Sequence, residues 1–384
     1  MKDLSFYFKA IEEFEFDSES IGNSIITHTE GFFPELEKKS IAIFYCPEFR
    51  NGVEEKHGLT DTKFRYEFYK LYASVHWEKK IYDLGDVLPG ERIEDTYFAV
   101  KQIVSELVKN DIIPILIGGT QDLTYPLYQG YQDLEQTVNI TTIDSKIDLG
   151  STEEVVTKDG FLSQLLLHNP CFLFNYSVIG VQFPFVKPSE IDLFERLYFD
   201  SLRLGEFNGD FKKAEPLIRN TDILCVDLQS IKSSDFRGDA YQSPNGFYAE
   251  QMCQIAKYAG ISDKLSSFSL LNFIPGNLSS EAHQLVAQLI WYFIDGVADR
   301  KGDFPVCSKK EYTKFIVHLE AFENDLIFYK SGKSQRWWME VPHPSTMDSK
   351  YERHHLIPCN HEDYELALKN ELPDLWWRTF QKLK

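Results

Sequence analysis

Three short segments carry the side chains most able to do chemistry: Gly118-Gly119-Thr120-Gln121-Asp122-Leu123-Thr124, Asp144-Ser145-Lys146-Ile147-Asp148 and Cys225-Val226-Asp227-Leu228-Gln229-Ser230. Three carboxylates, Asp144, Asp148 and Asp227, are costly to bury unless a cation or a proton accompanies them. Lys146 is the cation supplied by the same segments. Cys225 is a possible nucleophile if Lys146 stands beside it, because a reactive thiolate needs a His or a positive neighbour. The plainer alternative is a small buried thiol. Gly118-Gly119 lacks the Gly-Lys-[Ser/Thr] ending of a phosphate-binding loop, so a tight turn accounts for it. His354, His355, Cys359 and His361 fit no standard zinc spacing and have Pro358 among them, so a solvent-facing loop is expected there. His168, just before Asn169-Pro170, reads as a helix-end residue.

The elements around these segments alternate. Apolar runs predict strands at Ile41–Cys46, Ile113–Ile117, Val138–Ile143, Phe172–Ile179, Asp222–Val226 and Ser267–Phe273. Between them, Arg92–Lys109 places Ile93, Tyr97, Val100, Val104 and Leu107 on one helical face. Asp122–Tyr131, Phe247–Tyr258 and Ser280–Val297 also read as helices. Such alternation predicts a mostly parallel sheet covered by helices on both faces, a three-layer α/β/α domain. Binding crevices in such sheets lie beyond the carboxyl ends of the strands, and all three segments sit at such ends.

In that order, the segments resemble the GG-x-H-[SD], D-x-H-x-D and D-x-D-x-x-D motifs of the ureohydrolase (arginase/agmatinase/formiminoglutamase) superfamily. Tyr82-Asp83-Leu84-Gly85-Asp86, Ser243-Pro244-Asn245-Gly246 and Asn272-Phe273-Ile274-Pro275 add to the resemblance, which spans roughly residues 40–300. Asn175-Tyr176-Ser177-Val178-Ile179-Gly180 is most similar to the formiminoglutamase branch. The resemblance implies an arginase-like fold and a pair of manganese ions held by two His and four Asp, activating water against a guanidinium or formimino carbon. The corresponding positions here are Gln121, Asp144, Lys146, Asp148, Cys225 and Asp227. Three carboxylates remain, both His are replaced and one Asp is Cys. The acidic anchor for the substrate's amino group falls at Asn272.

Four carboxylates and two dications sum to zero charge, whereas three carboxylates and one lysine leave −2. The ammonium of Lys146 is therefore expected to stand in for the metals beside Asp144, Asp148 or Asp227, with another cation or a proton making up the rest. No catalytic residue, bound metal or other cofactor is expected; manganese is expected only under the alternative reading. The expected function is that of a formiminoglutamase-like chain that has lost its binuclear manganese site and acts as a non-catalytic binding, scaffold or assembly subunit. The alternative is an active hydrolase of C–N bonds in linear amidines.

Lys and Arg number 40 against 59 Asp and Glu, a formal net charge of −19, so nucleic acid and anionic lipid are not expected as partners. Partnership with a protein, or self-assembly, is expected instead. Asp3, Glu12, Glu13 and Glu15 are unlike an export signal, and the apolar run Leu285–Ile294 contains Gln288 and is too short to span a bilayer. With Cys46, Cys171, Cys225, Cys253, Cys307 and Cys359 scattered, a cytoplasmic protein with reduced thiols is expected. Residues 1–300 form the expected main domain, with a lead-in over 1–40. Residues 301–384 form an appendage of a hairpin (Lys314–Glu320 and Asp325–Lys330), a further strand at Trp337–Val341 and short helices at His361–Lys369 and Leu375–Lys382. Trp337, Trp338, Trp376 and Trp377 are its possible interface residues, with one of the first pair expected to face outward.

Overall fold

The computed structural model describes all residues except 1, 13, 53–58, 151–155, 305–308, 321, 323–324 and 343–348. Ten strands form one sheet: β1 (Phe8–Lys9), β2 (Ile26–Thr27), β3 (Ile41–Tyr45), β4 (Ile81–Val87), β5 (Ile113–Ile117), β6 (Val138–Ile143), β7 (Leu173–Val181), β8 (Asp200–Arg203), β9 (Ile223–Asp227) and β10 (Ser267–Leu271). Their order is β1-β4-β3-β5-β10-β9-β6-β7-β8, with β2 also pairing with β4. Every pairing is parallel except β1 with β4. The central strands β5, β10, β9 and β6 are buried along their whole length because both faces are covered. Pro114 is tolerated inside β5 because it lies opposite Ala42 of β3, before pairing with β10 starts at Ile115.

One face packs on the helices Lys63–Tyr69, Ala214–Arg219, Ala249–Ile261 and Ser280–Ala298. The other packs on Ile93–Lys109, Thr124–Gln129, Phe161–Leu167 and Pro188–Arg196. The two longest helices of the first layer meet backbone to backbone at Gly260 and Gly296. A Cβ on Gly260 would lie 2.1 Å from the Phe293 carbonyl oxygen, so the closeness of this crossing depends on the absent side chain.

Four antiparallel strands follow, β11 (Tyr312–Val317), β12 (Leu326–Ser331), β13 (Trp337–Glu340) and β14 (Leu356–Cys359), paired in chain order. The expected hairpin and third strand are present. The outward tryptophan is not: Trp337 and Trp338 lie on opposite faces of β13, and both are buried. Trp337 packs on Tyr364 and His361 of the helix His361–Leu368. Trp338 lies under the Arg219 guanidinium, 4.6 Å from its ring centre. Alternation put the pair on two faces, and the fold covers both. Trp376 is also buried, donating to the Glu340 carbonyl at 2.9 Å. Of the four, only Trp377 is exposed.

The expected solvent-facing loop over 354–361 is instead structured. His354 is buried and stacked on Phe174, Cys359 is buried within β14, and His361 opens a helix. His354, against Phe174 and Thr137, closes the seam with the main sheet. Arg219 reinforces it by donating to the carbonyls of Trp337 and Cys359, both at 3.0 Å.

Candidate functional site

The carboxyl ends of β5, β10, β9 and β6, four adjacent strands, bring the three segments together. After β5 the chain turns through Gly118 and Gly119, at φ +99° and +64°. A Cβ on Gly118 would lie 2.5 Å from the Tyr45 ring, so only glycine lets the loop pass the end of β3. The turn delivers Gln121, which is buried with both side-chain polar atoms unpartnered within the protein. Asp122 accepts hydrogen bonds from Tyr97 Oη and from Asn51 Nδ2 (3.2 Å).

Asp144 and Asp227 end β6 and β9 in the same way. Asp144 Oδ1 accepts the Lys146 N–H at 2.9 Å, and Asp227 Oδ1 accepts the Gln229 N–H at 2.7 Å. Asp83 at β4 repeats this turn with Gly85 at 2.9 Å. Each aspartate thus closes a local turn of the kind its short acceptor side chain favours. Asp148 sits at φ +53°, a conformation Asp tolerates better than most residues. Asn272, at the end of β10, donates from Nδ2 to Asp227 Oδ1 at 2.9 Å, while its own Oδ1 lacks a protein partner.

Burial dominates the electrostatics. It holds Asp144 well above the ordinary carboxylate range, with the Asp148 charge adding to it. Burial, then the charges of Asp227 and Asp159, push Asp148 up to about 7 despite a hydrogen bond from Asp144. Burial and the Asp144 charge push Asp227 up to about 8. Burial and the neighbouring carboxylates thus raise all three carboxyls together, as like-charged groups sharing a site do. Raised carboxyls favour a retained proton, one of the two remedies expected from the charge count.

The position of Lys146 corrects the other expectation. Its Nζ reaches Asp159 at 3.2 Å and lies on the surface, with the side chain 43% exposed. None of the described ion pairs links it to Asp144, Asp148 or Asp227, and only its main-chain N–H meets Asp144. The long stem lets the ammonium leave the floor of the site for water and for a carboxylate further along the chain. Lys146→Met is accordingly expected to cost at most about 1 kcal/mol, the scale of an exposed ion pair, instead of the several expected for a buried one. Urea denaturation checks this, and a loss above about 3 kcal/mol would show an internal pairing.

Cys225 is fully buried in β9, and burial pushes its thiol up to about 11. With Lys146 turned outward, the plain reading of a small thiol filling space is the one this geometry favours. Among the described residues, no three His, Cys, Asp or Glu side chains are grouped so as to hold a metal ion. His168 ends the helix Phe161–Leu167, its Nδ1 3.2 Å from Tyr125 Oη.

The model of the Arginase family matches residues 57–294. The chain belongs to the arginase family. It is 25% identical over 265 residues to the formimidoylglutamase of Staphylococcus haemolyticus (strain JCSC1435), covering 63% of this chain and 82% of that protein. The fold is similar to that of Trypanosoma cruzi formiminoglutamase with Mn2+ (TM-score 0.61, 18% identity, 68% of this chain and 94% of that one). It is equally similar to that of Bacillus subtilis formimidoylglutamase (TM-score 0.61, 15% identity, 70% and 90%). The mostly parallel sheet with flanking helices is thus the arginase-like fold, with the small antiparallel sheet added at its carboxyl end.

Sequence reasoning missed the supports of the site. Arg65, on the helix Lys63–Tyr69, donates to Asp83 (2.8 Å), Asp86 (2.5 Å) and the Gly85 carbonyl (3.0 Å). The signal was present in Asp83-Leu84-Gly85-Asp86, whose two carboxylates required a buried cation. Nothing local indicated which one.

Proposed function

We propose that this arginase-family chain holds no pair of manganese ions and serves as a non-catalytic binding, scaffold or assembly subunit. The donor set carries the reading. At the six family positions stand an amide (Gln121), a lysine (Lys146), a buried thiol (Cys225) and three carboxylates, Asp144, Asp148 and Asp227. The two neutral imidazoles are gone, the ammonium cannot ligate, and one oxygen each of Asp144 and Asp227 is engaged in its own turn. These residues do not fit a dinuclear manganese site. Without such a site, water keeps its pKa of ~15.7 instead of ~7 and is a poor nucleophile near neutral pH. Asn272 offers an amide, bonded to Asp227, where a cationic substrate needs a negative charge.

A binding role has its own support. Gln121 and the Asn272 carbonyl oxygen are buried polar groups with no partner inside the protein. Each costs about 1–3 kcal/mol unless a water or a small polar ligand completes it. Exposed Trp377 is the aromatic residue of the appendage available to a partner. A reducing, cytosolic setting is supported by the free thiols of Cys46, Cys171, Cys225, Cys253 and Cys359; Cys307 lies outside the described residues. Among the described residues no helix is long and apolar enough to cross a membrane.

The test is hydrolysis. Protein prepared with manganese is expected to release no urea or formamide from arginine, agmatine, guanidinobutyrate or formiminoglutamate above a heat-killed control. Release that disappears in Asp148→Asn would establish the alternative, an active linear-amidine hydrolase.

A further inference from the structure

We propose that a second site, at the amino ends of the strands, binds a small multivalent phosphate, either a pyrophosphate or a phosphate ester. A cavity of about 580 Å³ opens there, away from the crevice at the carboxyl ends. That volume is in the range of small-molecule sites.

The lining carries Lys39, Lys79, Lys109, Lys264, Arg300 and Arg353 against Asp111, Asp222 and Asp263. Six cations to three carboxylates is the reverse of the chain as a whole, at −19. The carboxylates are largely engaged already. Asp222 accepts from Arg353 at 2.5 Å and from the Asn139 N–H at 2.8 Å. Asp263 accepts the N–H groups of Gly302 and Asp303 at 3.1 and 3.0 Å. Lys109 is paired outside the cavity with Asp133.

Four cations, Lys39, Lys79, Lys264 and Arg300, are thereby left without a close carboxylate among the described residues. Among the described residues, Arg300 donates to the main-chain carbonyls of Gly260 and Leu265, both at 2.8 Å. Lys79 donates to the Lys39 carbonyl at 2.8 Å. Lys264, with its side chain 2% exposed, donates to Asn220 Oδ1 at 2.8 Å, and its nearest carboxylate oxygen is 3.9 Å away on Asp222. Among the described ion pairs neither Lys39, Lys79 nor Arg300 has a carboxylate partner. Burial, with the charges of Arg300 and Lys39 next, holds Lys79 below the ordinary lysine range. Burial also pushes Arg300 down to about 10 and Lys264 down to about 7. Keeping like charges together around an open space is unfavourable, and a polyanion in that space reverses the sign. Ammonium groups, compact point charges approaching from separate loops, suit the clustered oxygens of a phosphate.

The experiment is isothermal titration of the full chain with sodium pyrophosphate at low salt, with citrate and adenosine diphosphate in parallel. Saturable binding of pyrophosphate is expected, weakened about tenfold or more in the combined Lys39→Gln and Lys79→Gln variant. Lys39 is exposed, and Lys79→Gln keeps an N–H donor for the carbonyl of residue 39, so folding should survive; thermal melts verify it. Lys232→Gln, beyond the carboxyl end of β9, should bind as the natural chain does. Tighter binding of the nucleotide than of pyrophosphate would assign a phosphate ester, and the reverse a free polyphosphate. No saturable heat, equal affinity in the double variant, or citrate binding as tightly as pyrophosphate would overturn the proposal.

Discussion

The combined variant Gln121→His, Lys146→His and Cys225→Asp is expected to acquire a pair of manganese ions that the natural chain does not hold. Asp144, Asp148 and Asp227 already sit at the ends of adjacent strands β6 and β9, so the changes add the two imidazoles and the fourth carboxylate implied by family resemblance. They also remove the lysine and complete a neutral sum of four carboxylates with two dications. A metal bound only by the folded state stabilises it by about 2.7 kcal/mol at a hundredfold excess over its dissociation constant. Elemental analysis and thermal melts with and without manganese read both effects. About two equivalents of manganese in the natural chain as well as in the variant would remove the basis for a non-catalytic function. A folded variant that takes up no metal would show that the backbone, as well as the side chains, departs from a metal-binding form.

Arg65→Met is expected to destabilise the protein by about 3–5 kcal/mol, the cost of leaving buried carboxylates without their cation. Arg65 is 2% exposed, Asp83 is 1% and Asp86 is 8%. The guanidinium contacts both carboxylates and the Gly85 carbonyl between them, and these neighbours raise its affinity for the proton despite burial. Tyr69 Oη donates to Asp83 at 2.8 Å, but cannot replace a charge. Arg65→Lys keeps the charge and loses the fork, so a smaller loss is expected. Denaturant titration of the three proteins checks the order. A loss below about 1 kcal/mol in Arg65→Met would mean that the carboxylates are solvated or protonated.

The central sheet was legible from local pattern. Ile113–Ile117 and Val138–Ile143 are strands with the expected bounds, and the expected start of the helix at Ser280 is observed. Runs such as IPILI have one stable environment, a strand covered on both faces, so tertiary context had no competing arrangement to offer. The short elements were not legible. β8 is DSLR and β14 is LIPC with a proline inside, and neither has enough apolar length to declare itself. Both form because a neighbouring strand supplies the missing hydrogen bonds, β7 for one and β13 for the other.

The candidate site divides along the same line. Which chemical groups occupy the six family positions is a property of the sequence alone, and so is the surplus of negative charge among them. Where each long or mobile group goes was decided only in three dimensions. Lys146 reaches Asp159, thirteen residues further on, because water and an exposed carboxylate cost its ammonium less than the buried floor does. Asp144 is held well above the ordinary carboxylate range because burial and a neighbouring carboxylate disfavour its charge. Trp337 and Trp338 alternate across β13 as any strand pair must, but their burial depended on a helix on one side and Arg219 on the other. Short side chains fixed to strand ends follow the backbone and can be placed from pattern. Long side chains, protons and the second face of a strand follow the lowest free energy among partners that are distant in sequence.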